Sequence, residues 1–428
     1  MTTAQPTFFQ RQLARVAKVE PQEATAVIAA FCLFFFVLGS YFAVRPVRET
    51  IGTILGRPYV ADLWLYTAIF SIAIVPVYGW LVARVRRSIL LPCIYGFVAV
   101  VMVAIGISLS ADEANKPVGA FFYVFISVLN LMLVSVFWSF LLEMFSSEQT
   151  KRLFGFIAAG GTLGALVGPL TTRLLAESIG SSGILYVGAA GFVGAIVCQR
   201  ILLGIWHPKE TAAAVQASDK GVGGNPFAGI TIVLKSPYLL GIALFVTLLS
   251  SANTILYFEQ LRIVEETFTE TSRRTEVFAN IDFIVQSLTI FTQFFLTGRI
   301  AATFGVRALL TFLPLAMVVG FLVLAVSPVF AVLAVVFVMR RWGEYAFIRP
   351  GREMLFSRLD TETKYKAKNF IDVPVYRAAD YVGAQAKTAI DAVSTSPAVS
   401  ITIGAVLAAG WALNGWILGR KLDNSPKT

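Results

Sequence analysis

Three groups of side chains in this sequence carry chemistry that their apolar surroundings make conspicuous. The first closes a hydrophobic run as YFAVRPVRET, from Tyr41. Arg45 and Arg48 are three residues apart and share a helix face, and Glu49 lies four from Arg45. A guanidinium is a planar fork that grips two oxygens of a phosphate or carboxylate at once, so the pair reads as an anion clamp. Arginines reaching from a helix end to a membrane interface give the same pattern. The second group is a stretch in which Asp372, Tyr376 and Asp380 recur at i, i+4 and i+8. Arg377, Lys387 and Asp391 fall in the same broad sector, and Val375, Ala379, Val382, Ala386 and Ile390 fill the other. Such a helix cannot face lipid all round. Its polar side is either a salt-bridge network or the wall of a cavity. The third group is scattered: Asn130, Ser135, Ser139, Asn253, Asn280, Asp282, Gln286 and Gln293. Most suit hydrogen bonds between helices. Asp282 and Asp380 are ionisable, which makes them candidates for taking up and releasing a proton.

The elements that must hold these groups are long apolar runs. Hydrophobic residues make up 57% of the 428 and charged residues only 14%, far from the balance of a soluble domain. Mean hydropathy is +0.75. A membrane-crossing helix needs about 20 apolar residues. The runs are roughly 24–44, 60–82, 89–109, 118–142, 153–176 and 183–205, then, after a polar stretch at 206–236, 237–258, 277–297, 306–326, 329–348, 371–393 and 398–418. The expected fold is an all-α integral membrane protein of twelve transmembrane helices. A tail precedes it at 1–23, where residues 8–19 form either a short interfacial helix or a loose segment, and another follows at 419–428.

The net charge of +10 has its place in this topology. With the N-terminus inside, the inner segments hold 25 Lys and Arg and the outer loops 8, with two more inside the eleventh run. That bias puts both termini on the cytoplasmic side and leaves no reason to invoke nucleic acid. Cys32, Cys93 and Cys198 lie within apolar runs as small hydrophobes, and the lone His207 sits in a loop. There is no metal-ligand spacing, no Walker loop and no nucleophile beside a base. The chain is therefore expected to be no enzyme, to need no cofactor or metal, and to have no evident protein partner.

Shifted by about 215 residues, the first six runs fall on the last six: Tyr41-Phe42 on Tyr257-Phe258, Glu49 on Glu265, Lys151 on Lys366. Two six-helix pseudo-repeats, 24–205 and 237–418, place a substrate site between the halves near the bilayer midplane. The loop GRIAATFGVRALL, from Gly298, is similar to the Gly–x–x–x–Asp–Arg–x–Gly–Arg loop of the major facilitator superfamily, with Ala302 where the acid is expected. The matching loop after the second run keeps Gly79, Arg84, Arg86 and Arg87, with Ala83 in the acid's place. Gly160, Gly164 and Gly168-Pro169 form a small-xxx-small face. Their spacing resembles the superfamily's antiporter motif. The face serves either plain close packing or sliding between rocking halves.

RPVRET, EQTKRLFGFIAAGGTLG and REMLFSRLDTETKYKAKNFIDVPVYRAAD resemble more specifically the ATP/ADP antiporter family of nucleotide transporters. Arg45 and Arg48-Glu49 match its first-helix motif in charge. Lys151-Arg152, Arg352-Glu353-Met354 and Lys366, Lys368 and Asp372 match its stretches before the fifth and eleventh helices, where they would form cytoplasmic gate loops. The resemblance implies nucleotide antiport in a bacterial inner membrane, with ATP bound as a substrate. Arg45, Arg48, Glu49, Arg377, Asp380 and Lys387 would then meet an anionic nucleotide or organophosphate. One departure stands out: where the family has Gly-Lys-Ser-Gly-Gly, this chain has Ala379-Asp380-Tyr381-Val382-Gly383, an acid for a base. The alternative is a proton-coupled transporter of another small solute, with Asp282 and Asp380 as the titrating groups.

The topology is open to a direct test. Single cysteines at Ser110 and Ala217, on a cysteine-free background, are expected to react with an impermeant thiol reagent from opposite faces of the membrane. Labelling of both from one face would rule out this arrangement.

Overall fold

The computed structural model describes residues 19–112, 115–206, 228–295, 297–357, 359–394 and 396–423. The expected interfacial segment at 8–19, apart from Val19, lies outside these residues, as do His207, most of the central loop and residues 424–428. Every regular element among the described residues is a helix: α1 Ala24–Leu55, α2 Arg57–Arg84, α3 Arg87–Ala111, α4 Lys116–Met144, α5 Ser147–Ile205, α6 Ala228–Lys235, α7 Pro237–Thr267, α8 Thr271–Phe295, α9 Thr297–Val326, α10 Phe330–Gly343, α11 Arg349–Leu355, α12 Thr361–Phe370, α13 Tyr376–Val393 and α14 Pro397–Asp423. Five-residue π turns, Glu344–Ile348 and Ile371–Val375, join α10 to α11 and α12 to α13.

Leaving aside the eight-residue α6 and the bend at Gly305 near the start of α9, these elements make twelve rods among the described residues, because α5 is two. As one straight helix its 59 residues would run about 88 Å, nearly three times the hydrocarbon core. It breaks at Gly180, whose φ of 68° is open to glycine at little cost. The packing shows that the chain reverses there. Gly160, Gly164 and Gly168 meet α1 at Phe31, Phe35 and Gly39, in ascending order. Gly188, Gly191 and Gly194 then meet it at Val44, Ser40 and Phe36, in descending order.

Eight helices among the described residues are long and apolar enough to cross a membrane, the doubled α5 counting once. α8 and α13 are the more polar of the long helices, and α10 is apolar but short because the π turn at Glu344 interrupts it. Phe97, Phe121, Phe291 and Phe312 are all more than half exposed on the outside, as a surface against lipid tails requires.

The described residues pack as two units. One takes in Met1–Arg48, Ile74–Gly221 and Thr271–Asn280; the other takes in Glu49–Ala73, Val222–Glu270 and Ile281–Thr428. In the first, the glycine face of α5 seats α1. A Cβ at Gly160, Gly164 or Gly168 would fall on the carbonyl oxygens of Phe31, Phe35 and Gly39, and the Thr172 hydroxyl donates to the Ala43 carbonyl at 2.6 Å. The contact is therefore packing within one unit. In the second, α9 and α14 run antiparallel, with Gly419 against Arg307, Gly415 against Leu310 and Gly404 against Phe321. α13 runs along α7 in parallel, Asp380 beside Ser250, Gly383 beside Thr254 and Lys387 beside Glu259.

The structure corrects two sequence expectations. The basic stretch expected as a loop after residue 348 is mostly helix, since α11 runs to Leu355 and α12 starts at Thr361, capped by the Asp360 carboxylate on the Thr363 amide at 2.9 Å. The expected i, i+4, i+8 row of Asp372, Tyr376 and Asp380 is also broken. Pro374 lacks the N–H of an α-turn, and the π turn around it shifts Asp372 out of phase with the other two.

Gly164→Ala is expected to destabilise the protein by about 1–3 kcal/mol through overpacking on α1. Gly155→Ala, where nothing lies within 4 Å, should be neutral or stabilising. Melting temperatures of the purified protein in detergent check this. Equal effects at both positions would refute the glycine-seated interface.

Candidate functional site

The charged groups singled out in the sequence fall into separate clusters. In the first unit, Arg45 and Arg48 sit half-buried on α1. Nη1 of Arg48 donates to the Ser127 hydroxyl at 3.1 Å, and its guanidinium lies over the Tyr123 ring, 5.5 Å from the centroid. α1 continues to Leu55, so these arginines lie inside a long helix. Arg152, at the start of α5, grips the buried Glu23 with both terminal nitrogens, at 2.9 and 2.8 Å, and Gln149 adds a 2.8 Å bond. The side chain of Lys151 lies outside the description.

Glu49 belongs to the second unit, where it is buried and accepts a hydrogen bond from the Tyr257 hydroxyl at 2.9 Å. Lys387 is 2% exposed and bridges two carboxylates, Glu259 at 2.9 Å and Asp391 at 2.5 Å. Glu259 also holds Arg262 at 2.8 Å, and Asp391 holds Arg57 at 3.4 Å. Lys387 is thus fully engaged in this structure by a buried network. Two turns earlier on α13, Asp380 accepts from the Ser250 hydroxyl at 2.5 Å and lies 3.4 Å from Arg377. Asp282 is locked in an ion pair with Arg341, and both side chains are 4% exposed.

A further cluster surrounds the π turns. Nη1 of Arg340 reaches Glu344 at 3.1 Å, and Arg349 approaches the same carboxylate at 3.5 Å while stacking on Tyr345 at 4.4 Å. Arg341 and Arg352 are in electrostatic range of it too. Arg352 lies 3.3 Å from Asp372, and Lys368 2.6 Å from Glu353. Lys366 contributes backbone, its carbonyl oxygen packing on Gly229 of α6. Glu344 and Glu259 escaped sequence reading although each has a local cation, Arg340 four residues before Glu344 and Arg262 three after Glu259, because spacing alone did not show that they are buried or that Lys387 meets Glu259. Asp423 escaped it as well. Its carboxylate accepts from the Val306 and Arg307 amides at 3.1 Å, supplying from α14 an acid beside the loop whose own acid position is Ala302.

No family model and no curated protein matches the sequence. Solved structures do match. A POT family transporter in complex with 5-aminolevulinic acid is 12% identical, with 92% of this chain and 96% of that one covered at a TM-score of 0.64. The nucleoside transporter NupG is 12% identical over 95% of this chain and all of that one, with a TM-score of 0.60. A D-xylose-proton symporter is 15% identical over 94% and 98%, with a TM-score of 0.59. The fold is that of the major facilitator transporters. At such identity the likeness carries the fold alone.

Lys387→Met is expected to cost about 3–5 kcal/mol, because it leaves the buried Glu259 with Arg262 alone and the half-buried Asp391 with Arg57 alone. Glu259→Gln added to it should recover part of the loss. Melting temperatures around this double-mutant cycle test the point. Additive losses would mean that the two side chains are not coupled.

Proposed function

We propose that this chain is a secondary active transporter that moves a small organic anion, of the organophosphate or nucleotide class, across a lipid bilayer by alternating access and exchange. The observation that carries the anion is the placement of Arg45 and Arg48, two half-buried guanidiniums on one face of a 32-residue apolar helix. A cation in such a helix is costly to hold unless it meets an opposite charge or water, so it marks a site by default. Two permanent positive charges three residues apart suit a phosphate far better than a neutral or cationic solute. Equal exchange of unlike anions needs no ion gradient of its own. The resemblance of the RPVRET and KAKNFIDV stretches to ATP/ADP antiporters supports a nucleotide, as does the likeness in fold to a nucleoside transporter. The Lys and Arg bias supports cytoplasmic termini in a bacterial inner membrane.

A second reading is proton-coupled transport, for which Asp380 is the better-placed acid. Asp282 is held against a buried guanidinium, whereas Asp380 has a hydroxyl partner and a longer arginine contact. One solved structure of the same fold is a proton symporter.

Purified protein in proteoliposomes separates the readings. Nucleotides or sugar phosphates are expected to raise the melting temperature and drive counterflow, and neutral solutes to do neither. Arg45→Ala or Arg48→Ala should abolish uptake at near-parent yields of folded protein. Asp380→Asn should leave exchange intact. If that variant instead loses gradient-driven uptake alone, the proton-coupled reading takes over. A response confined to neutral solutes would sink the anion reading.

A further inference from the structure

The cluster at the π turn of Glu344 holds more cation than its carboxylates can satisfy. Arg340, Arg341, Arg349 and Arg352 all lie in electrostatic range of Glu344. Asp282 takes Arg341 and Asp372 faces Arg352, so three acids meet four guanidiniums. The neighbouring charges do not change the balance, since Lys368 pairs with Glu353 and Arg377 with Asp380. The donors show the same excess. Nε of Arg340 and Nε of Arg352 are buried and make no hydrogen bond to any described residue, although Oδ1 of Asp372, beside Arg352, accepts none either. Buried donors normally find partners, so the Nε–H of Arg340, next to Glu344, calls for a further acceptor. A guanidinium has five donors, while a carboxylate offers two oxygens. A phosphate offers more oxygens and a larger charge to the same fork.

The backbone fits this role. The π turn begins at Glu344 itself, and π turns occur often at functional sites. Pro350, just after it, cannot donate the N–H of a regular α-turn. The acid therefore sits where the helix is locally wide. Arg349 is more than half exposed, which leaves the cradle one open side.

We propose that Glu344 is the resident counter-anion of an arginine cradle, formed by Arg340, Arg349 and Arg352, that takes the phosphate of a soluble phosphorylated solute. Carboxylate and phosphate compete for the same guanidiniums, so Glu344 offsets part of the cradle's charge when no phosphate is bound. The proposal rests on the transport reading only for the solute being cargo.

Pyrophosphate is the probe, and its affinity is read by thermal shift on the purified full chain. Glu344→Gln should bind it about tenfold more tightly than the parent, because a carboxylate that fills the cradle most of the time taxes affinity by that fraction. Glu344→Asp, which keeps the charge but shortens its reach, should fall between. Arg349→Gln should weaken binding about tenfold. If Glu344→Gln folds poorly, pyrophosphate during purification should restore its yield. Unchanged affinity in Glu344→Asp, together with unchanged affinity or no rescue in Glu344→Gln, would overturn the proposal. So would a rise in melting temperature with phosphatidylglycerol but none with pyrophosphate, which would make this a lipid headgroup site. Organophosphate counterflow that persists while affinity ignores Glu344 refutes the cradle alone. Affinity that follows Glu344 in a chain without counterflow refutes the transport reading alone.

Discussion

A charge inside a helix of membrane length must be met by another charge, a hydrogen-bonding group or water, and much of the second unit is arranged around that requirement. Lys387 is nearly inaccessible and survives there as a cation because Glu259 and Asp391 lie within 3 Å of it. Glu259 is itself fully buried and leans on Arg262 as well. Such networks cost desolvation and give little net stability, but breaking one leaves an uncompensated charge. They fix which helices must be neighbours: α7 carries Glu259, α13 carries Lys387, and the first turn of α2 reaches Asp391 through Arg57.

The two repeats solve one packing problem in different ways. In the first half, the fifth rod lies along α1 through bare glycines, with Gly168 at Gly39. In the second half, α13 lies along α7 in the same parallel sense, and Gly383, the counterpart of Gly168, meets Thr254. On either side of that contact, the second interface has Asp380 with Ser250 and Lys387 with Glu259. Backbone-to-backbone packing rests on van der Waals contact and excludes water. The polar version keeps ionisable groups at the matching interface. The chemistry of the molecule is therefore asymmetric although its architecture is repeated.

That asymmetry continues in the π turns, both of which lie in the second half and beside charged clusters. Each has a proline in or just after it, so the missing N–H is one reason the turn widens. A wide turn re-aims the side chains that follow by about a third of a helical turn. Glu344 and Asp372, which begin or sit within these turns, both meet arginines, Glu344 at ordinary helical spacing from Arg340 and Asp372 across from Arg352.

Composition and periodicity were enough to determine an all-helical membrane protein and the places of most of its helices, though α1 and α7 run on well past the ends expected for them. These are local properties, set by how many consecutive residues tolerate lipid. The glycine face of α5 was legible for the same reason. Partnership was not. Glu259 meets Lys387, Asp282 meets Arg341, and Asp423 reaches the Gly305 loop across more than a hundred residues. Those pairings depend on which rods lie side by side, and spacing along one helix does not encode that. The π turn that puts Asp372 out of phase with Asp380 was hidden too, because a single widened turn leaves the hydropathy pattern almost unchanged while rotating everything after it. The sequence alone determined that charges lie inside the membrane rods. Only the tertiary structure decided which of them neutralise one another, because that depends on which rods lie side by side.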